Sequence, residues 1–83
     1  MSDLQDSHAR AARALIASGY DSGDNLVDIY DLVCDLLHLA DEYGPIEEAA
    51  GYRRDEGDTA TWGEHAAQMG LRHYHTELAE EAS

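Results

Sequence analysis

One stretch dominates what this chain can become. Between Asp24 and Tyr43 the apolar and acidic residues separate onto opposite sides of a helical wheel. At 100° per residue, Leu26, Ile29, Tyr30, Val33, Leu36, Leu37 and Ala40 share one arc. Opposite them Asp24, Asp28, Asp31, Asp35, His38 and Glu42 fall within about 40° of a common line, by the 3.6-residue period. This pattern dictates a long amphipathic helix from about Asn25 to Tyr43, with Asp24 or Asn25 as its N-cap. A strand, with period two, cannot produce it.

The rest of the chain falls into further helical segments divided by glycine-containing breaks. The first helix is expected from about Ser2 to Ser18, opened by the capping box Ser2-Asp3-Leu4-Gln5 and closed by Gly19. Its apolar face is Leu4, His8, Ala11, Ala12 and Leu15. Gly44-Pro45 is read as the end of the long helix and the start of a short one, about Pro45 to Asp55, with Gly51 weakening its interior. The last helix is expected from about Trp62 to Glu80, behind the capping box Thr61-Trp62-Gly63-Glu64. It carries two apolar faces: Ala67, Leu71, Tyr74 and Leu78 on one, and Trp62, Ala66, Met69 and His73 on the other. The expected architecture is all-α: one acidic helical domain over residues 1–83, a compact bundle of three main helices plus one short helix. The first and last helices would pack on the long one.

Charge narrows the function. The chain of 83 residues carries 18 Asp and Glu against 5 Arg, a net −13. Direct binding to a nucleic-acid backbone requires cations that neutralise phosphates, so it is excluded as an expectation. Binding to an anionic membrane surface is disfavoured for the same reason. No run reaches the roughly 18 apolar residues of a membrane span, and Met1-Ser2-Asp3 does not read as a signal peptide. The single cysteine, Cys34, allows no internal disulfide and suits a reducing cytoplasm. The hydrophobic fraction of 43% suffices for a core.

The charge is also uneven. Residues 1–20 are neutral, whereas residues 21–44 sum to −7 without one cation. Carboxylates at i,i+4 cost a helix a few tenths of a kcal/mol per pair when no Lys or Arg offsets them. The ladder Asp24, Asp28, Asp31, Asp35 and Glu42 is either a solvated, solubilising face or an anionic docking strip. With one carboxylate about every 5.4 Å, such a strip approaches the charge spacing of a nucleic-acid strand. Glu47 and Glu48 would extend it. A basic groove built for DNA or RNA would accept that strip. Beside the ladder, Val27, Leu32, Leu39 and Tyr43 are either covered by neighbouring helices or form a contact patch with an acidic border. Tyr20 and Tyr52 lie near loops and are further contact candidates.

Chemistry is harder to place. Asp35-x-x-His38 sets a carboxylate and an imidazole on one face, but lacks the second copy that helix-bundle metal sites use. His73 and His75 diverge by about 200° on a helix and cannot chelate together. Cys34, flanked by Asp31 and Asp35, reads as a small buried hydrophobe rather than a nucleophile. No phosphate-binding glycine loop, nucleophile elbow or His-Glu-x-x-His motif is present. Neither cofactor nor catalytic residue is expected.

Asn25-Leu26-Val27-Asp28, then Asp35-Leu36-Leu37-His38-Leu39-Ala40-Asp41, then Ala67, His73-Tyr74 and Glu77, resemble a family of small phage- and plasmid-encoded proteins, mostly of unassigned function. Several small acidic proteins of mobile elements are anti-CRISPR or anti-restriction proteins that imitate DNA. The resemblance implies a mobile-element accessory protein acting in the host cytoplasm. The leading expectation is thus a non-enzymatic inhibitor that imitates nucleic acid, its partner a host defence protein with a basic nucleic-acid-binding groove. Asp24, Asp28, Asp31, Asp35, Glu42, Glu47 and Glu48 would be its binding residues. An acidic helical interaction module, monomer or homodimer, working through apolar contacts is the alternative. A metal-dependent hydrolase is the third.

Overall fold

The computed structural model describes residues 3–55 and 57–82, with the side chains of Asp3 and Leu4 left aside. The described chain is all-helical, in the order α1 (Asp3–Ser18), α2 (Asn25–Ala49) and α3 (Trp62–Ala82). It divides after Cys34 into two compact units, one holding α1 and the start of α2, the other the rest of α2 with α3. No helix is long and apolar enough to cross a membrane.

In the first unit, α1 ends where expected. Gly19 has a positive φ of 82° and its N–H bonds to the Ile16 carbonyl at 3.2 Å. The capping box that includes Ser2 lies outside the described residues. α2 then opens on Asp24, whose Oδ1 accepts the N–H groups of Leu26 and Val27 at 3.0 and 3.3 Å. This is a full N-cap, satisfying two of the first-turn donors that the helix itself cannot. The connecting loop is fastened twice more. Ser22 and Asp24 exchange bonds at 3.2 Å, Ser22 Oγ donating to the Asp24 carbonyl and accepting from the Asp24 N–H. Asp28 reaches back one turn, and its Oδ1 accepts the Ser22 N–H at 3.1 Å.

The second unit corrects the expected short helix. Gly44-Pro45 does not end α2, which runs on to Ala49 with Pro45 inside it. Gly44 is absent from the positive-φ glycines, so it is not a cap. Its missing side chain serves a different purpose: a Cβ there would lie 2.1 Å from Cγ of Trp62. Pro45 costs α2 one backbone donor at this turn, and the Gly44 backbone beside it lies against the indole of Trp62. The stop comes at Gly51, φ 116°. The Tyr52 N–H bonds to the Glu47 carbonyl at 2.9 Å and the Gly51 N–H to the Glu48 carbonyl at 3.1 Å. That pair of bonds is a Schellman motif, with Gly51 in the left-handed position beyond the helix end. Of the expected short helix, residues 45–49 therefore belong to α2 and residues 50–55 form a cap and a loop.

α3 begins with the expected capping box. Thr61 Oγ1 accepts the Glu64 N–H, and Glu64 Oε1 accepts the Thr61 N–H, both at 3.0 Å. Hydrogen bonding to the carboxyl by Thr61, through its backbone N–H foremost and then its side chain, holds Glu64 below its ordinary value, against desolvation and the charge of Asp58. A further first-turn donor of α3, the Gly63 N–H, is taken by Asp41 Oδ1 of α2 at 2.7 Å. Gly63 is buried there, and a Cβ would stand 2.8 Å from the Leu37 carbonyl oxygen. Leu37, Asp41 and Gly44 thus form the seat on α2 for the start of α3.

Packing departs most from expectation. Among the described residues no apolar side chain is buried. Leu26, Ile29, Tyr30, Val33 and Leu36, expected to be covered by the neighbouring helices, are exposed. So are Leu71, Tyr74 and Leu78, one of the two faces expected to be packed on the last helix. Cys34, expected to be buried, is exposed as well. The cause is partly compositional. Beyond Leu4, the α1 face offers His8, Ala11, Ala12 and Leu15, of which only Leu15 is even half-buried. At about 25 cal/mol per Å² of apolar area, alanines give little. In the second unit, α3 seats on Leu37, Asp41 and Gly44, at the flank of the expected arc rather than on its centre.

Candidate interaction site

The seven carboxylates singled out in the sequence do not behave as one set. In the first unit, Asp24 is exposed but engaged as the N-cap of α2. Asp28 is only 5% exposed and clamps the loop, so it cannot meet a partner as part of an outward ridge. Asp31 is half-buried. In the second unit, Asp35, Glu42, Glu47 and Glu48 are all exposed. Arg10 donates to Ser7 Oγ, Arg53 to the carbonyls of Glu48 and Tyr52, and Arg54 to the carbonyl of Ala60.

The apolar residues flanking the ladder also divide. Val27 and Leu32 are half-buried. Leu39 and Tyr43, in the second unit, are 43% and 53% exposed, with Leu36 at 52% and Ile46 at 57%. Spaced 3, 4 and 3 along α2, these four occupy one arc of roughly 80°. On the same wheel Asp35 and Glu42 border the arc on one side and Glu47 on the other. This is an apolar strip with a carboxylate rim, and the seat for α3 lies to one side of it.

Next to the strip is a cleft of about 180 Å³ lined by Ala40, Tyr43, Gly44, Glu47, Tyr52, Trp62 and His65. Its ring walls are locked together. The Tyr52 and Trp62 ring centroids are 6.0 Å apart and Trp62 and His65 5.9 Å apart, both edge-to-face. Tyr52 Oη and His65 Nε2 are 2.6 Å apart, and His65 Nδ1 lies 3.5 Å from Asp58 Oδ2. With the imidazole proton on Nδ1, facing Asp58, Nε2 accepts from the Tyr52 hydroxyl. Asp58 is itself fixed, since its Oδ1 accepts the Ala60 N–H at 2.9 Å. Arg54 lays its guanidinium over Trp62, 4.1 Å from the ring centroid. The Schellman cap brings Tyr52 to this place and the Thr61 capping box brings Trp62 and His65.

Of this cleft the sequence singled out only Tyr43, Tyr52 and Glu47 as contact candidates. It missed His65, Asp58, Arg54 and the seat formed by Asp41. A signal for Asp41 existed. A capping box at Thr61-Glu64 leaves the Gly63 N–H needing an acceptor, and a glycine there admits a close neighbour. His38 and His73, carried by the family resemblance, are exposed, and the Tyr74 and His75 rings are 5.6 Å apart. Among the described residues no three His, Cys, Asp or Glu side chains are grouped to hold a metal ion. Comparison with known proteins finds no family model, no curated protein and no solved structure that matches this chain.

Proposed function

We propose that this chain is a non-enzymatic acidic binding protein that docks on a cationic surface of a partner protein through the exposed strip of α2. The observation that carries the reading is the strip itself: Leu36, Leu39, Tyr43 and Ile46 open to solvent, with Asp35, Glu42 and Glu47 around them. Anchors at i, i+3, i+7 and i+10 are what a helix offers to a partner's groove. An apolar centre with a polar border has the anatomy of a protein interface. A second copy of the chain would set −13 against −13, whereas a cationic partner gains from the field and associates faster.

A narrower form of this reading makes the partner's surface a nucleic-acid groove. The chain is then a mobile-element inhibitor that stands in for phosphates in a host defence complex, such as the DNA-recognition subunit of a CRISPR effector. The exposure of Asp24, Asp35, Glu42, Glu47 and Glu48 favours it. The buried Asp28 leaves the set of phosphate stand-ins.

Pull-down from a lysate carrying nuclease-based defence systems tests both, with and without competing DNA. Leu39→Ser with Ile46→Ser is expected to abolish capture at any salt concentration. Asp35→Asn with Glu42→Gln is expected to weaken it at low salt and little at high salt. Competing DNA displaces the chain if the groove reading is right. Equal capture by parent and both double variants overturns the proposal.

A further inference from the structure

The aromatic cleft beside the strip is more specific than the strip. Its walls are the rings of Tyr43, Tyr52, Trp62 and His65, with Glu47 at the edge. Two of its polar groups are engaged with each other, the Tyr52 hydroxyl and His65 Nε2 at 2.6 Å. With the Tyr52 hydroxyl as donor, neither its proton nor the Nε2 lone pair is offered to a ligand. What the walls offer instead is π-faces, whose quadrupole attracts cations. The cluster already demonstrates that affinity internally, because the Arg54 guanidinium sits 4.1 Å from the Trp62 centroid. The unit that holds the cleft is acidic, residues 35–83 carrying twelve acidic side chains against three arginines, and Glu47 lines the cleft itself.

We propose that this cleft receives a cationic side chain, the guanidinium or ammonium head of an arginine or lysine on the partner's surface. The proposal rests on the reading of the chain as a binder of cationic proteins, and names the group that reading leaves unspecified. The rings of Tyr43 and Tyr52 enclose the head, Glu47 balances its charge, and the aliphatic stem lies along Ala40. The locked Asp58–His65–Tyr52 array keeps the cleft open before the ligand arrives, so little ordering is needed on binding.

Trp62 is the only tryptophan in the chain, so its fluorescence reports on this cleft directly. The probes are short blocked peptides containing one arginine, one lysine, one citrulline or one norleucine, and tetramethylammonium chloride, all titrated at constant ionic strength. Saturable quenching or a spectral shift is expected with arginine, lysine and tetramethylammonium, and none over the same range with citrulline or norleucine. Tyr43 and Glu47 are both exposed, so changing them leaves the fold intact. Tyr43→Ala and Glu47→Gln are each expected to weaken the arginine peptide by about 3- to 10-fold, the range of a single cation–π or partly screened charge contact.

Equal or tighter binding of norleucine would overturn the proposal and make the cleft an apolar pocket. A linear response identical for all cations would overturn it as general ionic attraction. Leu39→Ser with Ile46→Ser lies outside the cleft lining and is expected to leave peptide titration unchanged. Loss of partner capture with peptide binding retained therefore separates a failure of the strip from a failure of the cleft.

Discussion

Replacing Asp28 by alanine separates two accounts of the acidic ladder. If Asp28 were one more rung of a solvated ridge, its removal would relieve repulsion and raise stability. The structure gives it a different task. It is 5% exposed and its Oδ1 takes the Ser22 N–H at 3.1 Å, closing the loop onto the first turns of α2. Losing a hydrogen bond to a charged acceptor costs about 1.5–3 kcal/mol. Against this stand relief from Asp24 and Asp31, about 0.2–0.5 kcal/mol each, and the better helix propensity of alanine, about 0.5 kcal/mol. The difference spans about 0–2 kcal/mol and at the centre of the ranges the bond wins by about 1 kcal/mol. In a domain of this size that central value lowers the melting midpoint by about 4–8 °C. Asp28→Asn keeps an oxygen acceptor and is expected to lose less than half as much. Asp31→Asn is expected to leave the midpoint unchanged or raised. Thermal melts followed by circular dichroism at neutral pH measure all three, and amide exchange of Ser22 reports the bond itself. An Asp28→Ala chain that melts at or above its parent, with Ser22 exchange unaltered, refutes the clamp.

The glycines and the α3 cap give further tests. Gly63→Ala places a Cβ 2.8 Å from the Leu37 carbonyl oxygen and is expected to cost about 1–3 kcal/mol by overpacking. Gly70→Ala, in the same helix with nothing within 4 Å, is expected to stabilise by about 0.5–1 kcal/mol; equal signs for the two in chemical denaturation would contradict the seat on α2. Glu64 has its carboxyl held below the usual value by the Thr61 bonds. A carboxyl depressed by folding adds stability that is present above its unfolded value, near 4.5, and is lost as pH falls through the folded value. Glu64→Gln should therefore narrow its deficit against the parent between pH 7 and pH 3, and a deficit that widens on acidification would refute the assignment.

The helices were legible in the sequence because their signals are local. The Asp24 cap, the Gly19 stop and the Thr61-Glu64 box each act within a few residues, and each is found where the pattern puts it. Gly44-Pro45 misled because the same dipeptide serves two physics. Glycine ends helices by adopting positive φ, and glycine also lets a large ring approach the backbone. Only the position of Trp62, eighteen residues on, decides between them. Period likewise says which residues share a face, but not what covers that face. The residues of the arc from Leu26 to Ala40 all lie on α2, yet in the second unit α3 seats at Leu37, Asp41 and Gly44. The cleft was illegible for the same reason: Tyr52, Asp58 and His65 meet through a loop whose path is set by Gly51 and by the Asp58–Ala60 turn.

These observations bear on why an acidic chain would leave so much apolar surface open. Without a buried apolar core among the described residues, the elements are defined chiefly by polar fasteners: caps, the Asp28 clamp, and the bond from Gly63 to Asp41. Each contributes on the order of 1 kcal/mol, while ordering each backbone residue costs about as much. On the proposed function, a partner that covers the strip on α2 adds stability to a chain held this way, so binding and folding would be linked. The acidic excess is consistent with that arrangement. On the proposed function, repulsion between two copies disfavours contact among the exposed apolar residues, while the same charge favours a cationic surface on which those residues can be buried.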